Sequence, residues 1–259
     1  MTSSEDRVAG VKALLPGDLG TRFTEEDIVS GLHVRKGSIE EAARLLHRHA
    51  HARLEYPDLF AKMSPESVVK TVDHFKLAPV RGIKTRDGLS VAYMDSGSWD
   101  PETISWDSAF AAVSLIWDIH GLLSRDFLDP GFVLINDMAN LGIKQVKALP
   151  IKACARNYHL LYENMICRPI MSIHINYSLL EDMTFKAAKP FLPKAMKESV
   201  HHFKKEQLSQ LLGPEVVESK RYLPTKQDIE EHHRLLQQGM PLALARHERV
   251  MLSQAVPFK

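Results

Sequence analysis

The side chains of this 259-residue chain with most capacity for chemistry are its 13 histidines and two cysteines, and their spacing decides what they can do. His47 and His51 stand four apart on one helix face, which offers two corners of a metal site. His49 points elsewhere and no third ligand is evident, so a solvated helix face is the expectation. His201-His202 and His232-His233 are adjacent pairs whose side chains diverge, and the same reading applies to them. Cys154 and His159 are too loosely related to form a nucleophile and its base. Gly-x-Ser-x-Gly, Gly-x-x-x-x-Gly-Lys and His-Glu-x-x-His are all absent from the sequence. Nothing therefore points to an enzyme, and no metal or cofactor is expected. Two cysteines, Cys154 and Cys167, are too few for a disulfide framework and read as reduced, buried thiols.

Polar groups inside apolar surroundings remain. Over residues 105–124, Trp106, Ala109, Phe110, Val113, Leu115, Ile116, Trp117, Ile119, Leu122 and Leu123 cover nearly the whole circumference of a predicted helix. Ser114, Asp118 and His120 intrude. Either Ser114 bonds its own helix backbone, Asp118 reaches the surface and His120 is a satisfied core residue, or a few polar points orient a mostly hydrophobic guest. A second feature suggests where such a guest would sit. Residues 170–177 alternate Met171, Ile173, Ile175 and Tyr177 against Ser172, His174 and Asn176, which predicts a strand with one apolar and one polar face. A predicted helix over 179–192 follows, with Leu180, Met183, Thr184, Ala187 and Phe191 on one side and Asp182, Lys186 and Lys189 on the other. Strand followed by amphipathic helix reads as a pocket and its lid.

The elements that must position these residues fall into two groups. Thr24 to Asp27 and Ser38 to Glu41 have capping-box form, Ser64-Pro65 opens another helix, and Ile39, Ala42, Ala43, Leu46, Ala50 and Leu54 make a continuous stripe. A small helical domain over residues 1–78 is expected. The run Arg81 to Gly88 reads as a loop, and the boundary is placed near Pro79. From there strands at 89–95, 131–137 and 170–176 alternate with helices at 105–124, 145–166 and 179–192, which argues for crossovers and a largely parallel sheet in a second domain over 79–259. Phe132 to Ile135, apolar on both faces, suits its centre. A capping signal at Thr225 to Asp228 starts a C-terminal helix near 229–238, with 252–259 expected to be loosely held. Net charge is +1, from 33 basic and 32 acidic residues, so no global field recruits nucleic acid. The first residues lack a signal-peptide core, no apolar run approaches bilayer length, and a cytoplasmic protein is expected.

Several of these words resemble the CRAL-TRIO lipid-binding and transfer family. Phe132 to Asp137 is similar to its buried strand ending in Asp, Ile173-His174-Ile175-Asn176 to its Ile-His strand, and Lys189-Pro190-Phe191-Leu192 to the tetrad closing its gate helix. Leu32 to Ala42 resembles words of its N-terminal helical domain. The resemblance spans roughly 25–218 and implies an α/β fold with a gate helix over an apolar cavity. It further implies a carrier of one small hydrophobic molecule, such as a tocopherol, retinoid, carotenoid or other lipid, with Ser114 near the ligand. Matching positions place Phe110, Val113, Ser114, Trp117, Leu134, Ile135, Ile173, Ile175, Leu180, Met183, Ala187 and Phe191 around the ligand. A ligand-free adaptor on the same fold is the alternative. The family's tocopherol and retinaldehyde carriers hold a phosphoinositide headgroup with basic residues at positions that here are Pro169, Met171, Ala195 and Ser199. Arg168, Lys194 and Lys197 lie next door, so transient membrane contact with weak or no phosphoinositide selectivity is expected.

Overall fold

The computed structural model describes residues 3–189 and 194–253. Six helices come first: α1 (Ser4–Leu14), α2 (Leu19–Arg22), α3 (Glu25–Val34), α4 (Ile39–Glu55), α5 (Pro57–Phe60) and α6 (Pro65–Phe75). Their starts follow from side-chain capping. Ser3, Thr24 and Ser64 each accept from the backbone N–H three residues on, and Asp6, Asp27 and Ser67 return the bond to the cap N–H. Ser38 caps α4 by accepting from Glu41 N. The stripe Ala42, Ala43, Leu46 and Ala50 is buried against Val8, Val11, Ile28 and Leu32 in a cluster that Ile166 and, from the C-terminal helix, Val250 also join, while Leu59, Phe60, Val68, Val72 and Phe75 belong to the main core.

The α/β part contains β1 (Ala78–Lys84), β2 (Ser90–Met94), α7 (Trp106–Leu123), α8 (Arg125–Leu128), β3 (Phe132–Asp137), α9 (Ile143–Ala148), α10 (Ile151–His159), β4 (Met171–Ile175), α11 (Leu179–Ala188), α12 (Lys194–Ser199), β5 (Val200–His202), α13 (Lys205–Leu212), α14 (Pro214–Glu218) and α15 (Lys226–Met251). The sheet runs in order β1-β2-β3-β4-β5, antiparallel between β1 and β2 and parallel elsewhere. One face packs Ala92, Phe132 and Leu134 under α7, α6 and α15. The other packs Val91, Tyr93, Val133, Ile135, Ile173 and Ile175 against Leu208, Leu212, Val216 and Val217 of α13 and α14.

Three expectations change, and one strand is new. The run 81–88 is not simply a loop: β1 extends to Lys84, and Gly82, at φ +69°, lets it bulge where its register with β2 slips. The helix expected over 145–166 is broken into α9, α10 and a π-helical turn at 160–164, because Leu149 and Pro150 interrupt it. The edge strand β5 gave too short a pattern to read. The C-terminal helix is far longer than 229–238, since Pro241 is carried on its exposed side and Gly239 sits where α15 crosses α7; a Cβ there would lie 2.3 Å from Ile119 Cγ2. Of the tail expected to be loose, residues 254–259 lie outside the described residues, and Ser253 is buried. Among the described residues no helix is long and apolar enough to cross a membrane.

Candidate functional site

Between α7, the sheet and the helices that return over it, apolar side chains gather in the main core. From α7, Trp106, Phe110 and Val113 are only partly buried, and with Leu149, Tyr158 of α10 and Phe185 of α11 they pack against the main core. Phe110, Val113, Ser114 and Trp117 share one helix face by spacing. Ser114 and Trp117 are fully buried, and Ser114 Oγ and Trp117 Nε1 have no hydrogen-bond partner among the described residues. Ser114 thus does not bond its own helix backbone, which was one reading of the sequence. Buried polar atoms of this kind are costly unless something satisfies them.

The other intruding polar groups are spent on structure. Asp118 does not reach the surface: it is buried, paired with Arg53 and, at 3.0 Å, with Arg246, while Arg246 also meets Asp27 at 3.2 Å. His49 is likewise fully buried beside this network and His47 is buried too, correcting the solvated face expected for them, whereas His51 is exposed and pairs with Glu55. His120 Nε2 lies 3.1 Å from His232 Nε2, whose Nδ1 donates to the Leu77 carbonyl at 2.8 Å. Burial lowers the pKa of His49, His120 and His232, the last to about 4.

The proposed lining residues divide between the two faces of the sheet. In the β3–β4 register Leu134 stands beside Ser172, Ile135 beside Ile173, and Asp137 beside Ile175. Leu134 therefore faces α7, but Ile135, Ile173 and Ile175 face α13 and α14 and cannot line a chamber with Phe110 and Val113. The apolar face of β4 is the one that α11 does not cover. Ile175 instead borders an open cleft of about 620 Å³ on that far side, shared with Lys204, Lys205, Glu206, Glu218 and Lys220, which is too charged for an apolar guest.

On the α7 side, β4 presents Ser172 and His174, and α11 docks on this polar face. Ser178 caps α11 by accepting from Glu181 N. Glu181, buried, accepts from His174 Nδ1 at 2.9 Å and from His202 Nε2 at 3.1 Å, while His202 Nδ1 meets Asp182 Oδ1 at 3.1 Å. Burial would raise the Glu181 carboxyl, but the two imidazoles outweigh it and hold it down at about 2. His202 loses by burial and gains more from the two carboxylates, so its pKa is raised. The face assigned to the lid changes accordingly: Glu181, Asp182 and Phe185 meet the sheet side, and Met183, expected on the inner face, is 61% exposed. The backbone of Leu180 and Ala187 belongs to α11 but their side chains lie outside what is described, and Phe191 lies outside the described residues. The sequence signal for this cluster was present, in the His174 of the strand and the His201-His202 pair, but only the parallel register that sets His174 beside His202 joins them.

Arg168 is half-buried with Arg35, Arg48 and Glu163 around it, and burial lowers its pKa. Lys194 is exposed on α12 and pairs with Glu198 at 3.8 Å. Lys197, also on α12, is half-buried. A protein-family model described as CRAL/TRIO domain matches residues 77–221, more than half of the chain, from the entry to β1 to just beyond α14.

Proposed function

We propose, from the premise that this chain belongs to the CRAL/TRIO domain family, a family of lipid-binding and transfer folds, that it is a cytosolic carrier of one small hydrophobic molecule. The guest occupies the chamber between α7, the α7-facing side of the sheet, α10 and α11, and is delivered to a membrane or an acceptor. The observation that carries this reading is the pair of fully buried, unpartnered polar atoms, Ser114 Oγ and Trp117 Nε1, on the helix face that also bears the half-buried Phe110 and Val113. A single polar function on an otherwise apolar guest would satisfy one of them while its hydrocarbon covers the others. Proposed lining residues are Phe110, Val113, Ser114, Trp117, Leu134 and Phe185; Leu180, Ala187 and Phe191 are retained from the gate.

The energetics suit a carrier. Removing about 400 Å² of apolar ligand surface at about 25 cal/mol/Å² gives roughly 10 kcal/mol gross, and association costs bring affinity into the micromolar to nanomolar range. Release then needs an acceptor, and exposed Leu179 and Met183 on α11 are the side chains that would meet an apolar surface first. Arg168, Lys194 and Lys197 act as point charges, so attraction to anionic lipid is weak, salt-sensitive and without isomer selectivity. Native mass spectrometry of the purified chain, followed by solvent extraction, tests the reading. One lipid-like molecule per chain, transferable to anionic vesicles, is expected. A compact chain that neither carries nor takes up such a molecule would leave the adaptor alternative standing.

A further inference from the structure

The cluster at the docking surface of α11 has the composition and the support of a metal centre. His174 on β4, Glu181 on α11 and His202 on β5 each offer one ligand atom, and the three atoms lie within 4.8 Å of one another. Two of the separations, 2.9 Å from His174 Nδ1 and 3.1 Å from His202 Nε2 to Glu181 Oε1, fall a few tenths of an ångström short of the edge, about 3.3–3.6 Å, of a tetrahedron with metal–ligand bonds of about 2.0–2.2 Å, so small side-chain shifts admit an ion. All three residues come from different elements, so their convergence is a product of tertiary structure and not of local spacing.

Three further observations separate this cluster from a chance ion pair. Glu181 Oε2 is buried without a hydrogen-bond partner among the described residues, so the carboxylate has unused capacity inside the cluster. His202 Nδ1 meets Asp182 Oδ1 at 3.1 Å, the outer carboxylate–imidazole contact that fixes a tautomer and leaves Nε2 free to ligate. The His202 ring is also stacked on Tyr177, with centroids 4.6 Å apart, and packed against Phe185, which holds its orientation.

We propose that His174 Nδ1, His202 Nε2 and a Glu181 carboxylate oxygen bind a divalent cation of the zinc class, with Asp182 orienting His202. Two imidazoles and one carboxylate form a borderline donor set that suits zinc or its first-row neighbours and leaves the fourth position to water. Binding requires the protons now on His174 Nδ1 and His202 Nε2 to leave those nitrogens, and the cation takes over their role towards Glu181. Its consequence is mechanical: the ion ties α11 to β4 and β5 at once. This assignment does not depend on what the chamber holds.

The test uses the full chain, stripped by chelator and titrated with Zn²⁺ alone by calorimetry, then with Co²⁺ by visible absorption. One ion per chain is expected, with a tetrahedral Co²⁺ spectrum and a raised melting temperature. His202→Gln and Glu181→Gln should each weaken Zn²⁺ by about 100-fold or more, Asp182→Asn by about 10- to 100-fold, and His233→Ala, in a surface pair with Asp73, should change nothing. If the ligand variants do not fold, zinc-edge X-ray absorption of the unmodified chain decides. Two imidazoles in the inner shell support the site. A shell with sulfur or without imidazole, binding weaker than millimolar, or equal binding by the His202 and His233 variants overturns it.

Discussion

Four histidines in this chain are held neutral by their surroundings, and each makes folding sensitive to acid. His49, His120 and His232 are buried, and His247, like His232, is pushed by burial down to about 4. Above the ordinary histidine value of about 6.5 neither the folded nor the unfolded chain is protonated at these sites, so they exert no pull. Below it the unfolded chain takes up protons that the folded chain refuses, and stability falls until the folded sites titrate as well. At pH 5 the loss is on the order of 1–2 kcal/mol each for His232 and His247. Urea unfolding at pH 7, 6 and 5 should show a steady fall in midpoint, and His232→Asn, which keeps a donor for the Leu77 carbonyl, should flatten the slope by about one proton. A midpoint that does not move across this range would mean these rings are accessible to protons in the folded state.

At the scale of elements, the informative one is α11. Because Phe185 packs inward and Met183 is exposed, Phe185→Asp should shorten guest retention by at least tenfold while Met183→Asp leaves it nearly unchanged. The check is ligand off-rate into acceptor vesicles, read beside melting temperature so that simple unfolding is recognised; equal off-rates would reverse the orientation of the helix. The sequence had shown that a helix follows this strand, because Ser178 and the run after it have helical character. It could not show which side faces in. Amphipathicity ranks faces by hydropathy, and here a buried acid matched by two histidines outcompetes an apolar side chain for the inner position. The same limit split the lining residues: alternation identified the two faces of β4, but only the crossover hand and the helices α13 and α14 decide that its apolar face looks away from α7. By contrast the caps of α3, α6 and α15, the largely apolar α7 and the central strand β3 were legible, since each rests on contacts within a few residues.

For the whole molecule, the network of Asp27, Asp118, Arg53 and Arg246 joins the first helices to α7 and α15 with little water around it. Neutralising Asp118 leaves two buried guanidinium groups short of charge, and Asp118→Ala should cost about 3–5 kcal/mol. Since the network is shared, unfolding of the unmodified chain should be one calorimetric transition, and separate melting of the helical region and the sheet would contradict the coupling.

The reach of α15 has a consequence for how the chain is made. Asp27 is 1% exposed, and its partners Arg246 and Arg249 are more than 200 positions later in the sequence. At about 5–20 residues per second, a ribosome needs roughly 10–45 s to cover that distance. For that interval the earliest helices carry a carboxylate whose two arginine partners have not yet been synthesised. The helical bundle, first to emerge, is therefore the last part to reach its final electrostatic balance, and α15 is the piece that closes it.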